Sequence, residues 1–400
     1  MKYFSTILLL FLFTSHSFCQ TAFDTTGGRF IRKIFDSVVV TPNIPYAKGV
    51  YVNGQNLDLL MDVYLPFGDT LSKRPVIVLA HGGGFIQGNK ADMAYSCTQF
   101  AKKGFVTVSI QYRLGIINIT SAAVTQMLIR ATQDMKNSIR FLRKSAAFGN
   151  PYKIHPDFIF AGGFSAGAIT AVHAAYLDQL NEIPANQNIT SLDSLHNNAQ
   201  IPGFDWQFKA VLNIAGAVGD TNWIKAGDTP IASFHGTQDA TVPFVSGGFG
   251  IPGVAIINLF GSQSIFNRTK NVGIKSELRA FTGAGHDYAA TFPWATDTTE
   301  ARISKFLIPF LTEIVTKNQL KKPNETPFSI SFQTDKWLIT SSKSEMSYQV
   351  LDLNGRLIEN HNQTDLNSLY LPVSDFPRIL KVENKSGNSK ILIVPAFGNK

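Results

Sequence analysis

From about residue 51 to residue 310 the chain alternates short apolar runs with longer stretches in which apolar residues recur every three or four positions. The short runs have strand length and the longer ones a helical period, and their alternation predicts a mostly parallel sheet covered by helices on both faces. Strands are expected at 57–64, 76–80, 105–111, 158–162, 209–215, 231–235 and 277–282, and helices at 91–103, 122–147, 166–177 and 298–316. Two stretches break the alternation, 178–205, rich in Asn and Gln, and 242–274, rich in Gly and Phe. Long irregular insertions in a compact domain tend to be functional loops, and these fall where a cap over a site would be placed.

Both ends of the chain read differently. Met1-Lys2-Tyr3 leads into an apolar run from Ile7 to Phe13 and then a short polar stretch, the layout of a secretory signal peptide over 1–19 that is removed on export. The run is shorter than the roughly 20 apolar residues of a spanning helix, so no stable membrane anchor is expected. At the other end, 318–327 is polar with two prolines and reads as a linker between a 20–317 catalytic domain and a 328–400 β domain. In the latter, short alternating runs at 328–332, 337–340, 347–351, 379–382 and 390–394, with turn signals at Leu353-Asn354-Gly355 and Ser386-Gly387-Asn388, predict a small β-sandwich.

Composition narrows the partners. With 44% hydrophobic residues the 400-residue chain can bury a full core. The net charge of +8 comes with only 16% charged residues, and Lys and Arg are scattered, which argues against a nucleic-acid partner and for a basic, soluble surface. If cleavage follows Cys19, only Cys97 remains, so stability has to come from packing.

Four segments carry candidate chemistry. Gly163-Phe164-Ser165-Ala166-Gly167 joins a strand to a helix, where a sharp turn would expose Ser165 as a nucleophile and the glycines would let neighbouring backbone pass close. His81-Gly82-Gly83-Gly84-Phe85 directly follows another strand, and its glycines could aim backbone N–H groups at a developing oxyanion; the amides of Gly83, Gly84 and Ala166 are the candidates. Asp239 lies just past the 231–235 strand, where its carboxylate could orient an imidazole. His286, in a glycine-rich loop after the next strand, could take the serine proton and return it to a leaving group. Each has a bland alternative, a helix cap for Ser165, a turn former for Asp239 and a loop histidine for His286; it is their order and context together that point to a triad.

On these motifs, with Gly88-Asn89-Lys90 and Gln111-Tyr112-Arg113-Leu114 beside them, the chain resembles the α/β-hydrolase superfamily over about 51–316, and within it secreted carboxylesterases with an HGGG motif, acetylxylan- and feruloyl-esterase-like proteins among them. The resemblance implies an α/β fold and hydrolysis of carboxylic esters, polymeric ones included, through an acyl-enzyme with no metal or organic cofactor. Residues 328–400 resemble the sorting domain of Bacteroidetes type IX secretion through Val350-Leu351-Asp352-Leu353-Asn354-Gly355-Arg356 and Lys390-Ile391-Leu392-Ile393-Val394. That implies the type IX machinery as partner and export through the periplasm to the cell surface or medium. Phe85 and Phe244, with Phe249, Phe260 and Trp223, are candidates to line an apolar pocket suited to aryl esters. Lys90 and Arg113 read as structural, and Asp134, near Arg130, Arg140 and Arg143 on a helix, as part of a solvated or ion-paired face. Two other classes compete: a serine peptidase of the prolyl-oligopeptidase type, for which the chain has little room ahead of its first strand, and a non-catalytic binding protein on the same scaffold.

Overall fold

A computed structural model of the chain describes residues 23–312, except 52, 117, 119, 185, 186, 188, 190, 252 and 253, together with seven strands between 328 and 394. Thr21–Glu313 forms one compact unit and Ile314–Lys400 belongs to another. The expected signal peptide (1–19) and linker (318–327) lie outside the described residues.

In the larger unit the elements are β1 (Val38–Val50), β2 (Asn56–Pro66), β3 (Arg74–Ala80), α1 (Ala94–Ala101), β4 (Val106–Ile110), α2 (Ser121–Ala147), β5 (Ile154–Phe164), α3 (Ala166–Tyr176), α4 (Leu192–His196), β6 (Val211–Ile214), β7 (Ala217–Val218), β8 (Ile231–Gly236), β9 (Ser246–Ile251), β10 (Val254–Gly261), α5 (Ser262–Asn271), β11 (Ser276–Phe281), α6 (Tyr288–Thr291) and α7 (Ala295–Leu311). Eight strands form one sheet in the order β1-β2-β4-β3-β5-β6-β8-β11. Every pair from β4 to β11 is parallel, while β1 and β2 pair antiparallel with each other and β2 with β4. This is the α/β-hydrolase arrangement.

β3 and β4 are buried at every position, as strands covered on both faces must be. Their side chains alternate between two cores: Val76, Val78, Val106 and Val108 pack with Ile139 of α2 and Ile169 of α3, while Ile77 and Leu79 pack with Phe100 of α1 and Leu307 of α7. α3 is buried at all eleven positions, and its Ala-rich sequence is what lets it lie so deep. β1 carries no clean alternation because it is a largely exposed edge strand containing Pro42 and Pro45, with register shifts near both.

The 242–274 insertion is not irregular as expected. It folds into the β9–β10 hairpin and α5, and β10 also pairs with β7. Gly247, Gly248 and Gly250 mask the strand signal; pairing with β10 and burial of Phe249 supply what propensity does not. Among its described residues the 178–205 insertion holds α4 and short 3₁₀ turns. In the helix expected over 91–103 the first turn is 3₁₀ (Lys90–Met93), capped by Asn89, whose side chain accepts from the N–H of Ala91.

The smaller unit has two antiparallel sheets. One joins β12 (Phe328–Gln333), β13 (Lys336–Ser341) and β16 (Ser368–Pro372); the other joins β15 (Leu357–Asn362), β14 (Met346–Leu351), β17 (Arg378–Asn384) and β18 (Ser389–Val394). The turn signals at 353–355 and 386–388 lie outside the described residues. Among the described residues no helix is long and apolar enough to cross a membrane.

Candidate active site

β5 passes into α3 through a single residue. Ser165 has φ 55° and ψ −120°, a left-handed conformation held by its N–H donating to Ile214 O at 2.9 Å. The flanking glycines are obligatory on steric grounds: a Cβ at Gly163 would lie 2.3 Å from Ala80 O, and one at Gly167 2.0 Å from the same oxygen and 2.6 Å from His81 O. The turn is thus wedged against the end of β3, where the His81 loop begins.

That loop is fixed by its neighbours. His81 stacks on Tyr112 at 4.4 Å, its carbonyl accepts from the Tyr112 hydroxyl at 2.8 Å, and its Nδ1 lies 2.7 Å from Gly82 O. Gly83, Gly84 and Phe85 all have positive φ (106°, 60° and 65°). Among the described residues the N–H groups of Gly83, Gly84 and Ala166 donate to no protein acceptor. A Cβ at Gly82 would lie 3.4 Å from Ser165 Cβ, so the glycine loop runs directly beside the serine.

Asp239 and His286 arrive from adjacent parallel strands. β8 and β11 run in register to the pair Gly236 and Phe281, and the loops beyond are tied by Thr237 N to Phe281 O (3.1 Å) and Gln238 N to Ala284 O (2.9 Å). Gly236 is required where they cross, since a Cβ there would lie 2.1 Å from Gly285 O. His286 Nε2 is 2.8 Å from Ser165 Oγ, its Nδ1 is 2.6 Å from Asp239 Oδ2, and its ring lies 5.2 Å from that of Phe164. The three residues singled out in the sequence therefore meet, although 74 residues separate Ser165 from Asp239 and 47 separate Asp239 from His286.

Asp239 is saturated. Its Oδ1 accepts from the N–H groups of Thr241 and Val242, both at 2.8 Å, and its Oδ2 faces both His286 and His235. Burial alone would raise this carboxyl, but the hydrogen bonds from His235, His286 and the backbone hold it well below the usual carboxylate range. His235, with Ser262 and Asn213 behind it, is a part of the site that the sequence reading passed over; the available signal was its place four residues before Asp239 at the end of a strand.

Of the other expectations, the ligand-facing role of Phe85 needs correcting. Phe85 is fully buried against Tyr112 and Phe249, so it fills core rather than facing a ligand. Phe244 is half-buried with its ring 5.6 Å from that of His235. Phe249 is also buried, Phe260 packs against the core, and Trp223 packs on His173. Of the two readings of Asp134 the ion-paired one holds and the solvated one does not: it is fully buried and pairs with Arg113, 2.7 Å from Nη2, and also accepts from the Arg113 N–H. Arg113 arrives from the loop after β4, whose later residue Gly115 donates to Phe85 O, so the pair holds that loop against the glycine loop. Lys90 pairs with Asp62 at 2.8 Å.

Residues 61–219 match the BD-FAE family. The BD-FAE segment takes in the His81 loop and Ser165; Asp239 and His286 lie beyond it. The chain is 32% identical over 148 residues to Probable carboxylesterase 6 of Arabidopsis thaliana (34% of this chain, 41% of that protein). It is 42% identical over 60 residues to the cAMP-regulated D2 protein of Dictyostelium discoideum (15% and 11%). It is also 41% identical over 68 residues to a non-reducing polyketide synthase of Penicillium brasilianum (16% and 3%). The chain thus spans less than half the length of these curated relatives. Among solved structures, a propionate-bound esterase 2 of Thermogutta terrifontis shares 23% identity at a TM-score of 0.49, covering 66% of this chain and 95% of that one.

Proposed function

We propose that this chain is a serine hydrolase of carboxylic esters working through an acyl-enzyme. The reading rests on one observation, the unbroken line from Ser165 Oγ through His286 to Asp239 at 2.8 and 2.6 Å. His286 Nε2 removes the proton as Ser165 Oγ attacks the ester carbonyl, and Asp239 stabilises the imidazolium that forms. The free amides of Gly83, Gly84 and Ala166 receive the oxyanion, an interaction that strengthens only as charge develops. Collapse expels the alcohol, which takes the proton from His286. Water then attacks the acyl group, giving its proton to the same nitrogen, and Ser165 leaves with it. Esters on polysaccharides or other polymers fit a chain whose residues 1–19 read as an export signal and whose residues 328–400 read as a type IX sorting domain; extracellular action is part of the proposal.

The test is hydrolysis of p-nitrophenyl acyl esters, acetylated xylan and methyl ferulate by wild type and Ser165→Ala. Loss of about 10³-fold or more in kcat in the variant is the expected result. An inactive wild type, or equal rates in the two proteins, would overturn the assignment in favour of a peptidase or a binding role, which peptide substrates and ligand binding by Ser165→Ala separate.

A further inference from the structure

Behind the carboxylate of Asp239 lies a second imidazole that the reaction itself does not require. His235 has no solvent exposure and sits at the end of β8, its Nε2 3.0 Å from Asp239 Oδ2 and 3.1 Å from Val242 O. Both neighbours are acceptors, so the pattern assigns a proton to Nε2. On the far side of the ring, Nδ1 is 2.8 Å from Ser262 Oγ, at the start of α5. Ser262 Oγ in turn accepts from Asn213 Nδ2 at 3.1 Å, and the same amide nitrogen donates to Ser233 Oγ at 3.1 Å. With an amide donating to it, the Ser262 hydroxyl is left to donate to His235 Nδ1, its alternative acceptor, Gly216 O, being 3.5 Å away. The hydrogen bonds therefore run in one direction: Asn213 to Ser262, Ser262 to His235, and His235 to Asp239. All four side chains are buried, and such a chain is polarised by every link.

We infer that His235, oriented by Ser262 and Asn213, is a positioning residue that shares Asp239 Oδ2 with His286, holding the carboxylate in place and dispersing its charge. The inference rests on the proposed triad. Two consequences separate it from simple packing. First, the carboxylate cannot rotate away from His286, because Oδ1 is held by two backbone amides and Oδ2 by a second donor. Second, His235 competes for the lone pairs that bind His286, so its loss concentrates negative charge on Oδ2 and strengthens the remaining bond. The other titratable side chain in hydrogen-bond contact with Asp239 among the described residues is His286 itself; the neighbouring Asp287 turns its carboxylate to the N–H of Ala290.

The experiment compares full-length wild type with Ser262→Ala, His235→Phe and His235→Gln. One readout is kcat/KM for p-nitrophenyl acetate against pH. The other is the far-downfield proton resonance of the His286 Nδ1–H bonded to Asp239, which needs no turnover. In Ser262→Ala and His235→Phe the acid limb is expected to move to higher pH by about half a unit to one unit, with kcat reduced about tenfold to a hundredfold, KM little changed and the proton moved downfield. His235→Gln, whose amide can still donate, is expected to recover part of each effect. Ser262→Ala removes only one hydroxyl, so it gives the answer even if His235→Phe does not fold. An unmoved acid limb and an unmoved resonance in a folded Ser262→Ala or His235→Phe would overturn the inference while leaving the serine hydrolase reading intact. Absence of Ser165-dependent hydrolysis in wild type would overturn that reading, and a downfield resonance insensitive to these substitutions would then overturn the inference as well.

Discussion

Replacing Gly167 with alanine tests whether the serine turn is held by direct contact with the end of β3. The added Cβ would sit 2.0 Å from Ala80 O and 2.4 Å from Ala80 C, both backbone atoms of a fully buried strand that cannot swing aside as a side chain could. To restore an ordinary contact the first turn of α3 has to retreat by more than about 1 Å, and Ser165 moves with it; a displacement of that size at a reacting group costs on the order of 10²-fold in rate. Overpacking of this kind costs about 1–3 kcal/mol, from which the better helix propensity of alanine recovers up to about 1 kcal/mol. The net destabilisation should lower Tm by about 2–8 °C. The control is Gly285→Ala, one residue before His286. No heavy atom lies within 4 Å of a Cβ there, so stability should change by less than about 0.5 kcal/mol although the residue adjoins the proposed base. The assay is p-nitrophenyl acetate hydrolysis with thermal melts on the same preparations. A Gly167→Ala protein with wild-type rate and Tm, or a Gly285→Ala protein as impaired as it, would refute the steric argument.

Three further outcomes follow from buried groups. Burial pushes the Asp134 carboxyl up against the pull of Arg113, and Asp134→Asn leaves that guanidinium without its counter-charge, so urea unfolding should show a loss of about 3–5 kcal/mol; the double variant Arg113→Met/Asp134→Leu should recover much of it. The depressed Asp239 carboxyl contributes stability that is present above its unfolded value of about 3.9 and is lost as pH falls through the folded value. The stability difference between wild type and Asp239→Asn should therefore shrink as pH falls from about 4 to 2, and an unchanged gap by denaturant titration would contradict the hydrogen-bond account. Burial pushes the Cys97 thiol up to about 12, so a thiol reagent at neutral pH should modify it only as the protein unfolds, with a rate that follows denaturant; rapid labelling of native protein would show that the α1 face opens.

Much of the framework of the candidate site was legible because its signals are local. The burial of β3 shows as a continuous apolar run from Val76 to Ala80, and the sharp turn at Ser165 and the loop after His81 demand glycines that a sequence displays openly. β1 and β9 were missed for the opposite reason. Each is held by pairing with a partner strand, along an exposed edge for β1 and through the glycine-rich sequence of β9 itself, so neither needs the alternation that marks a strand.

By itself the sequence determined the alternation of strands and helices, the order of Ser165, Asp239 and His286, and which loops carry glycine, since period, order and backbone permissiveness are properties of neighbouring residues. Tertiary structure alone decided the rest. It buried Phe85 where a ligand-facing role was expected, joined Arg113 to Asp134 across twenty-one residues, and placed His235 behind Asp239 with Ser262 and Asn213 in line. Which atoms a buried polar side chain faces depends on how the elements stack, and no local pattern in the chain encodes that.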